Sequence, residues 1–331
     1  MKYRQTAAAG LLLALILCGC AAGQAKAEFY AMDTVMQITA CGVGAQEAVH
    51  AAQTEVYRLE SLFSCREASA ELARCNAGQT ALSTETAELI GRALELSAQT
   101  DGAYDPSLGA LTAAWGFDDG NYRVPDAAQR AEALRCCGTD KVSLTENAAV
   151  LSGGVQLDLG GIGKGCAAAH VRQILLDGGV RSAIVSLGGN VCAVGAKPDG
   201  TDWTIGLQDP RKPSSYFGTV AVRDAAVVTS GGYQRYFEQN GVRYHHILDA
   251  KTGAPAESGL LSVSVVCTDD TLADALSTAL YVMGLEKGIA FWRAGGADFE
   301  AVWMTEDGSV WLTSGLCDAY RSQTPYQVVE R

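Results

Sequence analysis

The sequence has no basic run. Its 25 Lys and Arg face 37 Asp and Glu, for a net charge of −12, which argues against a nucleic-acid partner. Beyond the first twenty residues there is no apolar run long enough for a transmembrane helix. There is no repeat period, no low-complexity tract and no clean linker, so residues 29–331 read as one unit. There is no Cys-x-x-Cys pair, and adjacent Cys136-Cys137 is a poor zinc spacing. Histidine is scarce, with four in 331 residues. Two of these four, His245 and His246, stand side by side, and histidine is the side chain most readily poised to exchange protons near neutral pH.

The N-terminus is the exception to the lack of apolar runs. Lys2 and Arg4 precede an apolar stretch over residues 7–17, and small residues follow. That pattern is a secretory signal. Leu17-Cys18-Gly19-Cys20 resembles the lipobox of bacterial lipoproteins, with Cys20 as the lipidated residue and residues 1–19 as the signal peptide. A plain signal peptide cut near Ala22 or Ala25 is the other reading. Acyl chains would hold the protein on a membrane surface rather than make it span. Residues 20–28 then read as a short flexible tether. Eleven cysteines are many for an exported chain. Setting Cys18 and Cys20 aside leaves nine, an odd number, and Cys41, Cys192 and Cys267 read as small buried hydrophobes.

Strands and helices alternate along the rest. Residues 29–41 read as a first strand with Met32-Asp33-Thr34-Val35-Met36 at its heart. Residues 45–63 read as a helix, with Ala48, Ala52, Val56, Leu59 and Phe63 at helical spacing. A second helix is expected from an N-cap at Ser83 or Thr84. Residues 118–125 are polar and loop-like. Residues 181–187, 191–195, 203–208, 260–267, 299–305 and 310–313 read as strands, and residues 220–229 as a hairpin. A helix is expected over residues 271–283.

Three stretches carry chemistry. The first is Leu157-Asp158-Leu159-Gly160-Gly161-Ile162-Gly163-Lys164-Gly165. A strand from Val155 is expected to enter a glycine turn and open a helix that ends at Gly178-Gly179. Such a turn presents backbone N–H groups and the positive end of the helix dipole, which suits phosphate, with Lys164 adding a point charge. It is not a Walker loop, because Asp158 and Gly165 stand where that motif needs Gly and Ser or Thr. A plain strand-to-helix turn is the alternative. The second stretch is Asp274 and Thr278, four apart on one helix face, a carboxylate and a hydroxyl that give two hard oxygens for Mg²⁺. A solvated helix face is the alternative, and Asp274 is expected to be an exposed ligand. The third is residues 243–253, with Tyr244 to Leu248 as a strand and Asp249 to Gly253 as a turn. Alternation puts His245 and His246 on opposite faces. Two structural histidines at a strand end are the alternative to a proton carrier.

Several motifs in one order resemble a known family. Met32-Asp33-Thr34-Val35-Met36, Gly102-Ala103-Tyr104-Asp105-Pro106, Trp115-Gly116-Phe117, the stretch 158–165, Leu187-Gly188-Gly189-Asn190, Thr229-Ser230-Gly231, residues 246–253 and Ala273-Asp274-Ala275-Leu276-Ser277-Thr278 are similar to the ApbE-type FAD:protein FMN transferases. The resemblance covers about residues 30 to 315. It implies an α+β fold, with mixed sheets packed against helices in two interlocked halves that form one catalytic unit. It implies an enzyme that binds FAD with Mg²⁺ and transfers FMN to a Thr or Ser hydroxyl of an acceptor protein, releasing AMP. The implied metal ligands are Gly161, Asp274 and Thr278. Some members carry an acid where Ser277 stands here. Met32, Ala103, Tyr104, Asp105, Asp158 and Leu248 match FAD-contacting positions, and Lys164 with its loop would hold the pyrophosphate. A tyrosine that touches FAD in some members has no counterpart near Cys65-Arg66.

The implied mechanism follows phosphoryl transfer, with in-line positioning and charge neutralisation. His246 would be the general base on the acceptor hydroxyl. Two other readings remain: FAD pyrophosphatase activity with water in place of the acceptor, and an FAD-binding lipoprotein without turnover. The family's acceptors are usually membrane redox subunits outside the cytoplasm. The expected location is therefore the outer face of the bacterial cell membrane, or the periplasmic side if there are two membranes.

Overall fold

Helical periodicity becomes helix where it is long and continuous. The structure, a computed structural model, describes residues 23–331. The expected leader, residues 1–19, and the lipidation position Cys20 lie outside the described residues. Seven α-helices occur in them: α1 Ala45–Phe63, α2 Glu71–Asn76, α3 Thr84–Gln99, α4 Gly109–Trp115, α5 Ala127–Cys136, α6 Gly163–Asp177 and α7 Asp270–Ala294. In α1, Ala48, Val49, Ala52, Val56, Leu59 and Phe63 are buried, one stripe facing the core. Ser83 caps α3, its side chain accepting the Thr86 N–H at 3.2 Å. Helix α7 breaks at Gly284, whose φ is +75°.

The helices lie on a nine-stranded sheet. Its spatial order is Gln24–Ala31, Thr34–Cys41, Ser182–Leu187, Asn190–Gly195, Ala226–Gly231, Leu260–Cys267, Glu300–Thr305, Val310–Thr313 and Tyr326–Val329. Neighbours are antiparallel except the last pair. One face packs on the helices through Met36, Ile38, Val185, Val228, Val263 and Val265. The other packs through Ile184, Val191, Val227, Val302 and Leu312 on a three-stranded sheet that supplies Trp203, Ile205, Leu207 and Val220. The result is three layers of mixed α+β architecture, with the large sheet buried on both faces. Leu260–Cys267 is a central strand, as its apolar composition requires.

Four expectations are corrected. Residues 24–28 are strand rather than tether: Gln24 pairs with Cys41, and Ala25 is buried. Residues 29–41 are a hairpin rather than one strand. Met32 and Asp33, at φ +48° and +62°, form its two-residue turn between Ala31 and Thr34. Two left-handed residues suit the twist of a tight hairpin, though neither is glycine. The stretch from Val155 forms no ladder beyond a single Gln156 bridge to Leu108. The Asn76 side chain takes the place of a neighbouring strand, bonding both the N–H and the C=O of Leu157 at 2.8 Å. Residues 220–229 are not a hairpin: Lys212–Val222 belongs to the small sheet and Ala226–Gly231 to the large one. The chain crosses between layers at Asp224, φ +50°, whose carboxylate accepts the Gly195 N–H at 2.6 Å.

Candidate active site

The glycine loop and α7 build one wall of the site together. Helix α6 starts at Gly163 with no side-chain cap of its own. Asp274 of α7 reaches across, and its Oδ2 accepts the Gly165 N–H at 2.8 Å. A Cβ at Gly165 would fall 2.4 Å from the Asp270 carbonyl oxygen, so only glycine lets the two helices approach this closely. Several loop amides are therefore already bonded. Gly160 N–H donates to Asp158 Oδ1 at 2.9 Å and Gly163 N–H to the Leu159 carbonyl at 2.7 Å. This corrects the picture of a row of open amides. Lys164 folds back, its Nζ donating to the Gly160 carbonyl at 3.0 Å.

Asp274 is 4% exposed and is not the open surface ligand expected. Thr278 stands one turn on and half-buried, with Oγ1 3.4 Å from Ser230 Oγ. Ser277 is fully buried and bonded to Ser230 Oγ at 2.7 Å and to the Asp274 carbonyl at 2.9 Å. Its hydroxyl is thus held inside the fold. A Cβ at Gly161 would lie 3.6 Å from Thr278 Oγ1 and 3.1 Å from the Tyr104 ring. Gly161, Thr278, Tyr104 and Asp274 therefore meet at one place.

Tyr104 is the telling residue there. It is buried, and its hydroxyl has no partner. Burial, followed by the charges of Asp274, Asp158 and Asp105, pushes its pKa well above the usual phenol value, so it remains a donor. A buried hydroxyl near carboxylates with no partner in the fold leaves a donor open to a ligand. The donors around it are carboxylate, hydroxyl and carbonyl oxygens, a hard set that fits Mg²⁺.

Asp158 links this wall to a cavity of ≈ 290 Å³ lined by Cys65, Asn76, Thr112, Asp118, Gln156 and Asp158. Thr112 donates to Asp158 Oδ2 at 3.2 Å. Asp105 holds its own loop, accepting from the Ser107 N–H at 2.7 Å and hydroxyl at 2.6 Å. Burial pushes the Cys65 thiol up to about 12, so it lines the cavity as a neutral group. Met32, half-buried, sits in the hairpin turn, its N–H donating to Glu60 Oε1 at 2.6 Å. Ala103 is half-buried beside Tyr104. Leu248 is buried in a small core with Leu111, Trp115 and Phe117.

The two histidines part company, though not by alternation along one strand: the expected strand over Tyr244 to Leu248 is instead Val242–His245 followed by a two-residue strand Leu248–Asp249. The strand ends at His245, so His246 lies just beyond it. His246 is half-buried, its Nδ1 3.1 Å from the Arg235 carbonyl, and Phe117 stands edge-on at 6.4 Å. A carbonyl only accepts, so Nδ1 carries the proton and Nε2 the lone pair. Burial and then the Arg235 guanidinium lower its pKa to about 3. At neutral pH the ring is an uncharged base. His245 faces inward against Tyr281 of α7, edge-on at 5.6 Å, and its Nδ1 is buried without a partner. Burial lowers its pKa as well. Two residues that the sequence did not single out hold this side of the site. Arg235 and Arg66 both donate to the Phe117 carbonyl, Arg66 at 2.8 Å, and Arg66 also pairs with Asp33.

Fold and site define an α+β protein in which Tyr104 and Thr278 lie against a glycine loop that Asp274 clamps. A family model described as the ApbE family matches residues 32–303, and the chain belongs to that family. The FAD:protein FMN transferase of Treponema pallidum (strain Nichols) is 35% identical over 97% of this chain and 97% of its own length. The ApbE protein of Thermotoga maritima superposes with a TM-score of 0.84 at 32% identity, covering 91% of this chain and 100% of that one. The apo flavinyl transferase ApbE of Pseudomonas stutzeri does so with a TM-score of 0.77 at 31% identity, over 87% and 92%.

Proposed function

We propose that the chain is a magnesium-dependent FAD:protein FMN transferase. One observation carries this reading furthest. The Tyr104 ring and Thr278 Oγ1 both lie against Gly161 of the glycine loop, and Asp274, one turn before Thr278, bonds Gly165 of the same loop. Asp274, Thr278 and the Gly161 carbonyl would hold Mg²⁺, which when bound supplies positive charge to neutralise the pyrophosphate. Tyr104 donates toward the same group. Lys164 places a cation at the loop, and the ≈ 290 Å³ cavity next to Asp158 takes a ring of FAD.

The acceptor's Thr or Ser oxygen bonds to the phosphorus of the FMN half. The bond from that phosphorus to the bridging oxygen breaks, and AMP leaves with the oxygen. His246 Nε2 takes the acceptor's proton. Its Nδ1–H bond to the Arg235 carbonyl keeps Nε2 as the accepting atom. The likeness to enzymes with this printed activity over nearly the whole chain supports the reading.

Lipidation at Cys20, and with it a place on the outer face of the cell membrane or the periplasmic side, belongs to the same proposal. It rests on the Leu17-Cys18-Gly19-Cys20 pattern. No helix among the described residues is long and apolar enough to cross a membrane. The partner is then an extracytoplasmic acceptor protein.

The deciding experiment incubates the protein with FAD and Mg²⁺, with and without an acceptor fragment. Flavin fluorescence on a denaturing gel and released AMP and FMN are followed. Acceptor-dependent AMP release with a fluorescent acceptor band supports transfer. FMN and AMP in equal amounts without an acceptor would make it a pyrophosphatase, and bound but intact FAD a carrier.

A further inference from the structure

Arg235 grips the catalytic histidine from the main chain while its side chain is tied elsewhere. Its carbonyl accepts the His246 backbone N–H at 3.1 Å and lies 3.1 Å from Nδ1 of the same residue. One oxygen thus sets both the position and the tautomer of the ring. The guanidinium donates to the carbonyl of Phe117, whose ring stands against the imidazole. Arg66 donates to that same carbonyl and pairs with Asp33 in the hairpin turn. The Phe117 carbonyl is therefore a knot joining the 231–235 loop, the Met32-Asp33 turn and the cavity side of the site.

We propose that Arg235 is the positioning residue of His246, anchoring its own carbonyl through the Phe117 knot so that Nε2 always faces the acceptor as the lone-pair atom. The inference deepens the transferase reading and rests on it. In hydrolases with a triad, a carboxylate on Nδ1 sets the tautomer and stabilises the imidazolium. A neutral carbonyl sets the tautomer without adding negative charge. The charged and titratable groups acting on the ring are Arg235, His245 and Lys164, and none is a carboxylate. Arg66, on the shared carbonyl, adds a further cation nearby. This surrounding disfavours the protonated ring. The ring is therefore held as an uncharged base at neutral pH.

The test uses full-length mature protein with ¹⁵N-labelled histidine. Long-range ¹H–¹⁵N spectra read each ring's tautomer, and His246→Gln assigns the signal. The wild type should show His246 as a single Nδ1–H tautomer at pH 7. Arg235→Gln should show tautomer exchange. It should lower kcat for transfer about tenfold, a part of the 10²–10⁴ that a positioned base contributes. FAD affinity and the acceptor KM should stay within twofold, and the acid limb of the rate profile should move to higher pH. Arg235→Lys, which keeps the cation and one donor, should recover part of the rate and covers the case in which the Gln variant fails to fold. An Nε2–H tautomer in the wild type overturns the inference. So does an Arg235→Gln protein with unchanged tautomer, kcat and acid limb. If the wild type transfers no FMN at all, the transferase reading fails, while the tautomer spectra still decide the positioning role.

Discussion

Asp274 Oδ2 caps the N-terminus of the helix that carries Lys164, through the Gly165 N–H at 2.8 Å. The carboxylate proposed for the metal is thus also the clamp between α6 and α7. Two substitutions separate the observed clamp from the proposed metal role.

Asp274→Ala should abolish magnesium-dependent transfer and also destabilise the fold. It leaves the Gly165 N–H buried and unpaired, a loss of about 1–3 kcal/mol. Asp274→Asn keeps an acceptor oxygen for Gly165 and should melt close to wild type. It should still lose at least about 10²-fold in activity, as one charged metal ligand is gone. Thermal melts and Mg²⁺ titrations check both. Equal melting of the two variants would show that the clamp contributes nothing.

His246→Ala should reduce transfer by roughly 10²–10⁴ while FAD fluorescence quenching gives nearly the same affinity. The simple expectation of a rate rising through the usual imidazole range gives way to another. With the pKa lowered to about 3, the base is already neutral, and the rate should be flat in this group between pH 5 and 8. Stability responds in the opposite window. The unfolded chain binds a proton near the ordinary value of about 6.5, while the folded one refuses it down to about 3. Between these values the unfolded state holds more protons, so stability is complete above about 6.5 and falls as pH drops toward 3. His246→Gln should flatten that slope in denaturant melts taken from pH 7 to pH 4. An unaltered slope would mean that the histidine titrates normally in the fold.

His245→Ala should be a stability variant, not a silent one. The ring packs edge-on to Tyr281 and against Gly232, and its removal should cost about 1–2 kcal/mol. Urea midpoints measure this, and transfer by the folded fraction should persist. A stable but inactive His245→Ala would reverse the roles given to the two rings.

Cys20→Ala should move the exported protein from the membrane fraction to the soluble one. Retention of the variant on membranes after a high-salt wash would assign the attachment to another surface.

Long repeating patterns were legible in the sequence, and local exceptions were not. Helix α1 could be read to the residue because its buried side chains recur over five turns. Helices α2, α4 and α5 escaped notice. Six to ten residues give too little periodicity, and α5 buries only Ala133. The Met32-Asp33 turn was missed because both left-handed positions lack glycine, the usual signal. In the site, Thr278 lies against Gly161, and Asp274, one turn before it, bonds Gly165. What stayed hidden was the bonding of the loop: the Gly160, Gly163 and Gly165 amides already have partners. Arg235 was hidden for a related reason. It holds His246 by a carbonyl, and every residue type carries one, so no side-chain pattern marks it.

The strand that begins at Gln24 has a consequence for how encounters occur. With Cys20 acylated as proposed, three residues separate it from the sheet edge at Gln24, four chain steps with a reach of at most about 14 Å. The catalytic body then rides almost on the bilayer, with little freedom to swing outward. An acceptor embedded in the same membrane is met by sliding in two dimensions rather than by diffusion through a volume. The height of its modifiable hydroxyl above the lipid becomes a selection rule, because targets far from the surface lie out of range. Lengthening the segment before Gln24 with a flexible insert would raise that ceiling, and the set of proteins labelled with flavin should widen with it.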